Sequence, residues 1–86
     1  MPRALSISRI KVPAGDRASA VARMRARHGH YLASRCNHWV FEDARVPGDF
    51  TEFAEAPDAE TLSAAHASAA DPAPGGSHLL TEVALI

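Results

Sequence analysis

The sequence predicts an α+β fold of order βαββαβ, with four antiparallel strands in one sheet and both helices on one of its faces. Three observations predict it. Stretches that alternate with period two are interleaved with two stretches of helical period. A Val-Pro-Gly-Asp turn joins the middle two strands directly, so they form a hairpin. The chain has 86 residues, enough for a single domain spanning 1–86 and no more.

The elements follow in order. Leu5–Val12 alternates and is partly β-branched, as a strand is, and Pro13-Ala14-Gly15 stops it. Asp16 is placed to cap a helix running from Arg17 to about Leu32. Val21, Met24, His28, Tyr31 and Leu32 fall on one stripe of that helix, with Arg23 and Arg27 on the solvated side. Gly29 weakens its last turn and predicts an early end. Cys36–Asp43 gathers Trp, Val and Phe and reads as the second strand. Val46-Pro47-Gly48-Asp49 is the turn and Phe50–Glu55 the return strand. Asp58 is the expected cap of a second helix, on which Leu62, Ala65, His66 and Ala69 recur at helical spacing. Asp71–Ser77, rich in Pro and Gly, is a loop, and His78–Ile86 is the closing strand.

Composition narrows the partners. Nine basic against ten acidic residues leave a net charge of -1, so neither nucleic acid nor an anionic membrane surface is an expected partner. No stretch approaches the roughly 20 apolar residues of a membrane span. One cysteine, Cys36, permits no internal disulfide, and a reducing, cytoplasmic setting is expected. There is no Gly-rich phosphate loop and no G-x-S-x-G nucleophile motif. His28 and His30 stand about 200° apart around a helix and cannot share a metal, so no metal site is expected.

Right-handed crossovers put both helices on one sheet face and leave the other bare. That face should be polar in a monomer, yet both parities of the last strand are apolar: Leu79, Val83 and Leu85 against Leu80, Ala84 and Ile86. A second copy packed sheet to sheet, about 10 Å away, is the simplest cover, and a different partner chain and an apolar face tolerated bare are the alternatives. A homodimer is therefore expected.

Centring the hairpin on the Pro47–Gly48 bond puts Trp39, Phe41, Phe50, Glu52 and Ala54 on one face, against the helices. The other face then carries Cys36, His38, Val40, Glu42, Thr51, Phe53 and Glu55, a mixture of ionisable and apolar groups such as lines a ligand cavity. On this reading His38 is the general base or a hydrogen-bond partner of the ligand, with Glu55 and Glu42 orienting it or acting themselves. Cys36, Val40, Thr51 and Phe53 contact a small-molecule ligand in a cavity facing the partner. A histidine merely packed on a strand and a glutamate at a solvated strand end are the plainer readings of the same residues. Trp39 reads as core, the arginines at 17, 23, 25 and 27 as a solvated helix face, and Cys36 as an unactivated thiol.

In element order and length nearly the whole chain resembles the dimeric α+β barrel superfamily, of ferredoxin-like topology, and within it the antibiotic-biosynthesis-monooxygenase-like proteins. The most specific stretch is Glu42-Asp43-Ala44-Arg45-Val46-Pro47-Gly48-Asp49-Phe50, similar to the family's acidic, Pro-Gly, aromatic turn. Asp58, Leu62 and His66 echo its second helix. Where the family often has Glu and Trp on the third strand, this chain has Ala54 and Ala56. The resemblance implies a small-molecule enzyme acting on an aromatic or polyketide-like substrate in the barrel cavity, cofactor-independent monooxygenation included. A non-catalytic ligand-binding or structural dimer is the alternative it leaves open. Haem binding is a third, and it depends on His66 reaching the cavity.

Overall fold

The computed structural model describes residues 2–73 and 78–86. Its elements are β1 (Ala4–Lys11), a short 3-10 turn (Ala14–Asp16), α1 (Arg17–Ala33), β2 (Asn37–Glu42), β3 (Asp49–Ala56), α2 (Ala59–Ser68) and β4 (His78–Thr81). The strands form one antiparallel sheet in the order β2-β3-β1-β4. This is the ferredoxin-like α+β arrangement expected from the pattern. Of the loop expected over 71–77, residues 74–77 lie outside the described residues.

Both helices pack on the face that carries Ala4, Ala54 and Ala56. These small side chains let Tyr31 of α1 and Leu62 and Ala65 of α2 close onto the sheet. A second cluster, Val12, Met24 and Phe50, fills the space beneath the start of α1. Asp58 caps α2 as expected, its carboxylate accepting from the Thr61 N–H at 2.7 Å. Asp16 precedes α1 but its side chain makes no capping bond, because the chain enters the helix through the 3-10 turn.

Gly29 does not end α1 early. The helix runs on to Ala33 and closes in a Schellman motif: Cys36 N–H donates to the Tyr31 carbonyl at 2.9 Å and Arg35 N–H to that of Leu32 at 3.3 Å. The left-handed position of that motif is held by Arg35, φ 65°, where glycine is usual. Tertiary packing of Tyr31 and Cys36 in one cluster outweighs both the propensity cost of Gly29 and the strain at Arg35.

The hairpin register differs from the one expected. The turn Val46–Asp49 forms, with Asp49 N–H donating to the Val46 carbonyl at 3.2 Å and Gly48 at φ +87°. It is only half of the connection. Asp43 first turns the chain through its side chain, which accepts from the Arg45 and Val46 N–H groups at 2.7 and 2.9 Å. The strands therefore pair Glu42 with Phe50 and Trp39 with Phe53, an odd offset from a hairpin centred on Pro47–Gly48. An odd offset exchanges the faces of one strand relative to the other. Cys36, His38 and Val40 consequently face the helices with Phe50, Glu52 and Ala54. Trp39 and Phe41 face the opposite way with Thr51, Phe53 and Glu55. Gly48 is required here: its N–H donates to Glu42 and its carbonyl accepts from Val12, and a Cβ would strike the Val12 carbonyl oxygen.

The helix-free face has an apolar centre with polar groups such as Arg9, Thr51 and Glu55 around it. Trp39, Phe53 and Ile7 lie in one row across three strands, Leu80 pairs with Leu5, and Phe41 stacks edge-on against Phe53 at 5.6 Å. Trp39 and Phe41 are 44% and 60% exposed, so Trp39 is not the helix-side core residue that a hairpin centred on Pro47–Gly48 made it. The last strand is shorter than expected, His78–Thr81 rather than His78–Ile86. β1 begins at Ala4, opposite Thr81, and one further bond from Glu82 N–H to Arg3 exhausts the edge.

Candidate functional site

The site begins with an unexpected side chain. On α1 the residues that turn inward are Met24, Arg27 and Tyr31, so Arg27 lies in the seam between helix and sheet and not on the solvated face. Beneath it, β3 presents Glu52, and neighbouring β2 presents His38 on the same face. Arg27 grips Glu52 with two parallel bonds, Nε to Oε2 at 2.8 Å and Nη2 to Oε1 at 2.9 Å, both side chains being almost wholly buried. Burial by itself raises the Glu52 carboxyl. The hydrogen bonds from His38 and Arg27, with the Arg27 charge, outweigh it and hold Glu52 below the usual carboxylate range.

His38 Nε2 lies 2.8 Å from Glu52 Oε2, and its Nδ1 lies 3.0 Å from Nδ1 of His28. The proton positions follow from donor and acceptor counting. Ionised Glu52 only accepts, so His38 carries its hydrogen on Nε2. When His38 is neutral its Nδ1 must then accept, and His28 donates from Nδ1. His28 is left with a lone pair on Nε2, an atom with no partner among the described residues. Carboxylate, buried imidazole and exposed imidazole thus form a line from the interior to the surface. Through His38, the Glu52 carboxylate fixes which His28 nitrogen carries the hydrogen and which is left free to accept.

Tyr31 stacks on His38, ring centroids 5.2 Å apart and 12° from parallel, and its hydroxyl lies 2.6 Å from His66 Nδ1. Burial and the nearby Glu52 charge push the Tyr31 hydroxyl up to about 12, so it is the donor. His66 then has its hydrogen on Nε2, which is buried without a partner among the described residues. Burial also lowers the His66 pKa.

The surface end of this line opens into a cavity of about 580 Å³ between α1 and β2. Val21 and Met24 of α1, Val40 of β2 and Phe50 of β3 make its apolar wall, and His28, His38 and Arg25 are among its polar groups. Its lining also takes in Trp39 and Phe41, which β2 can offer because it is the outermost strand. The size and the apolar wall with few convergent polar groups suit a small, flat molecule. Glu42 also lines it, but that carboxylate is engaged by Arg17 at 2.5 and 2.8 Å and by Gly48 N–H, bonds that hold it at about 2.

The residues expected to share one cavity do not. His38 and Val40 line this one, on the helix side and within a single chain. Cys36 is buried in the core, where burial raises its thiol pKa. Thr51, Phe53 and Glu55 are on the far face of the sheet, and Glu55 is bound there by Asn37 and Arg3. Glu55 is thus no partner of His38, and Glu52 holds that place. Sequence reasoning missed Arg27, Glu52 and His28 as a unit. The available signal was the helical spacing of Met24, Arg27 and Tyr31, which puts Arg27 between two buried positions. His28 and His30 do diverge: His30 turns to the Ala65 carbonyl at 2.8 Å. Among the described residues no group of three or more His, Cys, Asp or Glu side chains is placed to hold a metal ion, and no helix is long and apolar enough to cross a membrane.

Neither a protein-family model nor a curated protein matches the sequence. Solved structures do match the fold. A conserved protein from Methanosarcina mazei superposes with a TM-score of 0.75 at 12% identity, over 95% of this chain and 92% of its own. A Nitrosomonas europaea protein provisionally described as an antibiotic biosynthesis monooxygenase gives 0.74 at 13%, over 96% and 90%. A haem-degrading protein from Mycobacterium tuberculosis, solved free of haem, gives 0.68 at 17%, over 98% and 95%. At these identities the likeness establishes the fold, and it includes the kind of protein that the sequence resembles.

Proposed function

We propose that the chain is a small-molecule enzyme that removes a proton from an aromatic or polyketide-like substrate held between α1 and β2, with His28 as the base. The observation that carries this reading is the Glu52–His38–His28 line, which ends at an imidazole nitrogen unpartnered among the described residues, on a residue that lines an apolar cavity. Deprotonating a phenol or an acidic carbon gives an electron-rich anion, the form that cyclises or reacts with dioxygen without a bound cofactor. His38 positions and polarises His28, and Glu52, itself fixed by Arg27, holds the His38 tautomer. The helix-free apolar face packs on a second copy, and the single free thiol suits a reducing compartment such as the cytoplasm. His66 does not suit a haem ligand, since Tyr31 occupies Nδ1 and Nε2 is enclosed.

The test is hydrogen–deuterium exchange at the ring carbons of 1,3-dihydroxynaphthalene in deuterium oxide, followed by proton NMR. The protein should accelerate exchange, and His28→Ala, a change at an exposed position, should lower that acceleration about 10²–10⁴-fold while the fold stays intact. Binding of the diphenol with no acceleration would replace the enzyme by a non-catalytic ligand-binding protein.

A further inference from the structure

Four arginines stand on α1, and three of them meet carboxylates. Arg17 is paired with Glu42, Arg23 with Asp71 and Arg27 with Glu52. Arg25 lines the cavity and has no ion-pair partner among the described residues. The carboxylates nearest the cavity are already engaged: Glu42 by Arg17 and Gly48, Glu52 by Arg27 and His38. The apolar pocket therefore carries in its lining a guanidinium that no carboxylate among the described residues compensates. Arg25 and His28 are three residues apart on one helix, hence neighbours on its surface with Arg25 about 4.5 Å nearer the N-terminus.

From this we infer that Arg25 is an anion subsite and that the ligand is an aromatic acid, its carboxylate held by Arg25 about one helical turn from the proton that His28 takes. This rests on the cavity being the ligand site. A carboxylate there gains a charge-assisted bond, bidentate when the guanidinium lies flat to it, while the ring replaces water against Met24, Val40 and Phe50. It also sets orientation. A flat ring in an apolar slot slides, and one fixed charge pins the acidic position against the base.

The experiment compares 2-naphthoate with its methyl ester, which differ in charge and hardly in ring shape, by ligand fluorescence at low ionic strength. The wild-type protein should bind the acid about tenfold more tightly than the ester. Arg25→Gln should bring that ratio to about one, Arg25→Lys should retain part of it, and circular dichroism should confirm both variants folded. Equal binding of acid and ester by the wild type, or a preference that survives Arg25→Gln, overturns the anion subsite and leaves the cavity reading standing. Failure of both ligands to bind the wild type overturns the cavity reading as well.

Discussion

At the scale of single residues, the half-buried His66 shapes the acid response. The folded pKa of His66 lies below its ordinary value of 6.5 because burial disfavours the imidazolium. The unfolded chain therefore takes up this proton first as pH falls. The stability His66 contributes is complete above about pH 6.5 and drains away as pH drops toward the folded pKa. Glu52 acts lower. Its folded pKa is below 4.5, so its contribution is complete above that value and lost as the carboxylate protonates. Urea unfolding at pH 7.5, 5.5 and 4 should show two successive losses. In His66→Phe the loss between 7.5 and 5.5 should shrink; an unchanged loss would show that His66 does not set that window.

At the scale of elements, α1 is held to the sheet partly by a buried ion pair, which is an expensive way to join them. Taking Arg27 and Glu52 out of water costs several kcal/mol each, repaid through the bidentate geometry and the bond from His38. Removing one partner leaves a charge without compensation. Arg27→Met should cost about 3–5 kcal/mol in chemical denaturation, whereas the double change Arg27→Met with Glu52→Leu should recover much of it. The double variant should nonetheless lose exchange activity, because His38 no longer has a carboxylate to fix its tautomer. Stability restored together with activity would show that the pair serves packing alone. The same logic separates Trp39 from His38. Trp39 is partly exposed on the far face, so its truncation should spare the folded chain the losses of a core residue, and His38→Ala should be the more destabilising change in a monomer.

At the scale of the whole molecule, the sheet has helices on one face and Leu5, Ile7, Trp39, Phe41, Phe53 and Leu80 on the other. A chain of 86 residues buries only about 60–65% of its unfolded surface, so covering that face adds materially to stability. Light scattering after size exclusion should return close to twice 9.1 kDa at micromolar concentration. Leu80→Asp, on the open face opposite Leu5, should give monomer or aggregate, since burying an unpaired charge costs several kcal/mol. A wild-type monomer would mean the apolar face is tolerated bare or meets a different chain.

Element order, the two-sided apolar sheet, the Asp58 cap and the Pro47-Gly48 turn were all legible in the sequence, because each depends on local periodicity or on backbone preferences within a few residues. His38 was legible as a candidate for the same reason, being an ionisable group on an apolar strand. Its surroundings were not. They depend on the hairpin register, and Asp43 decided that by turning the chain ahead of the Pro-Gly turn, a side-chain contact that shifts every pairing by an odd number and turns His38 to the helix side, away from Glu55. Arg27 likewise reads as solvated by residue type and is buried only because Glu52, 25 positions later, meets it. Composition and spacing determined which surfaces are apolar; which charges meet between them was decided by tertiary structure, since an ion pair between distant residues leaves no period in the chain.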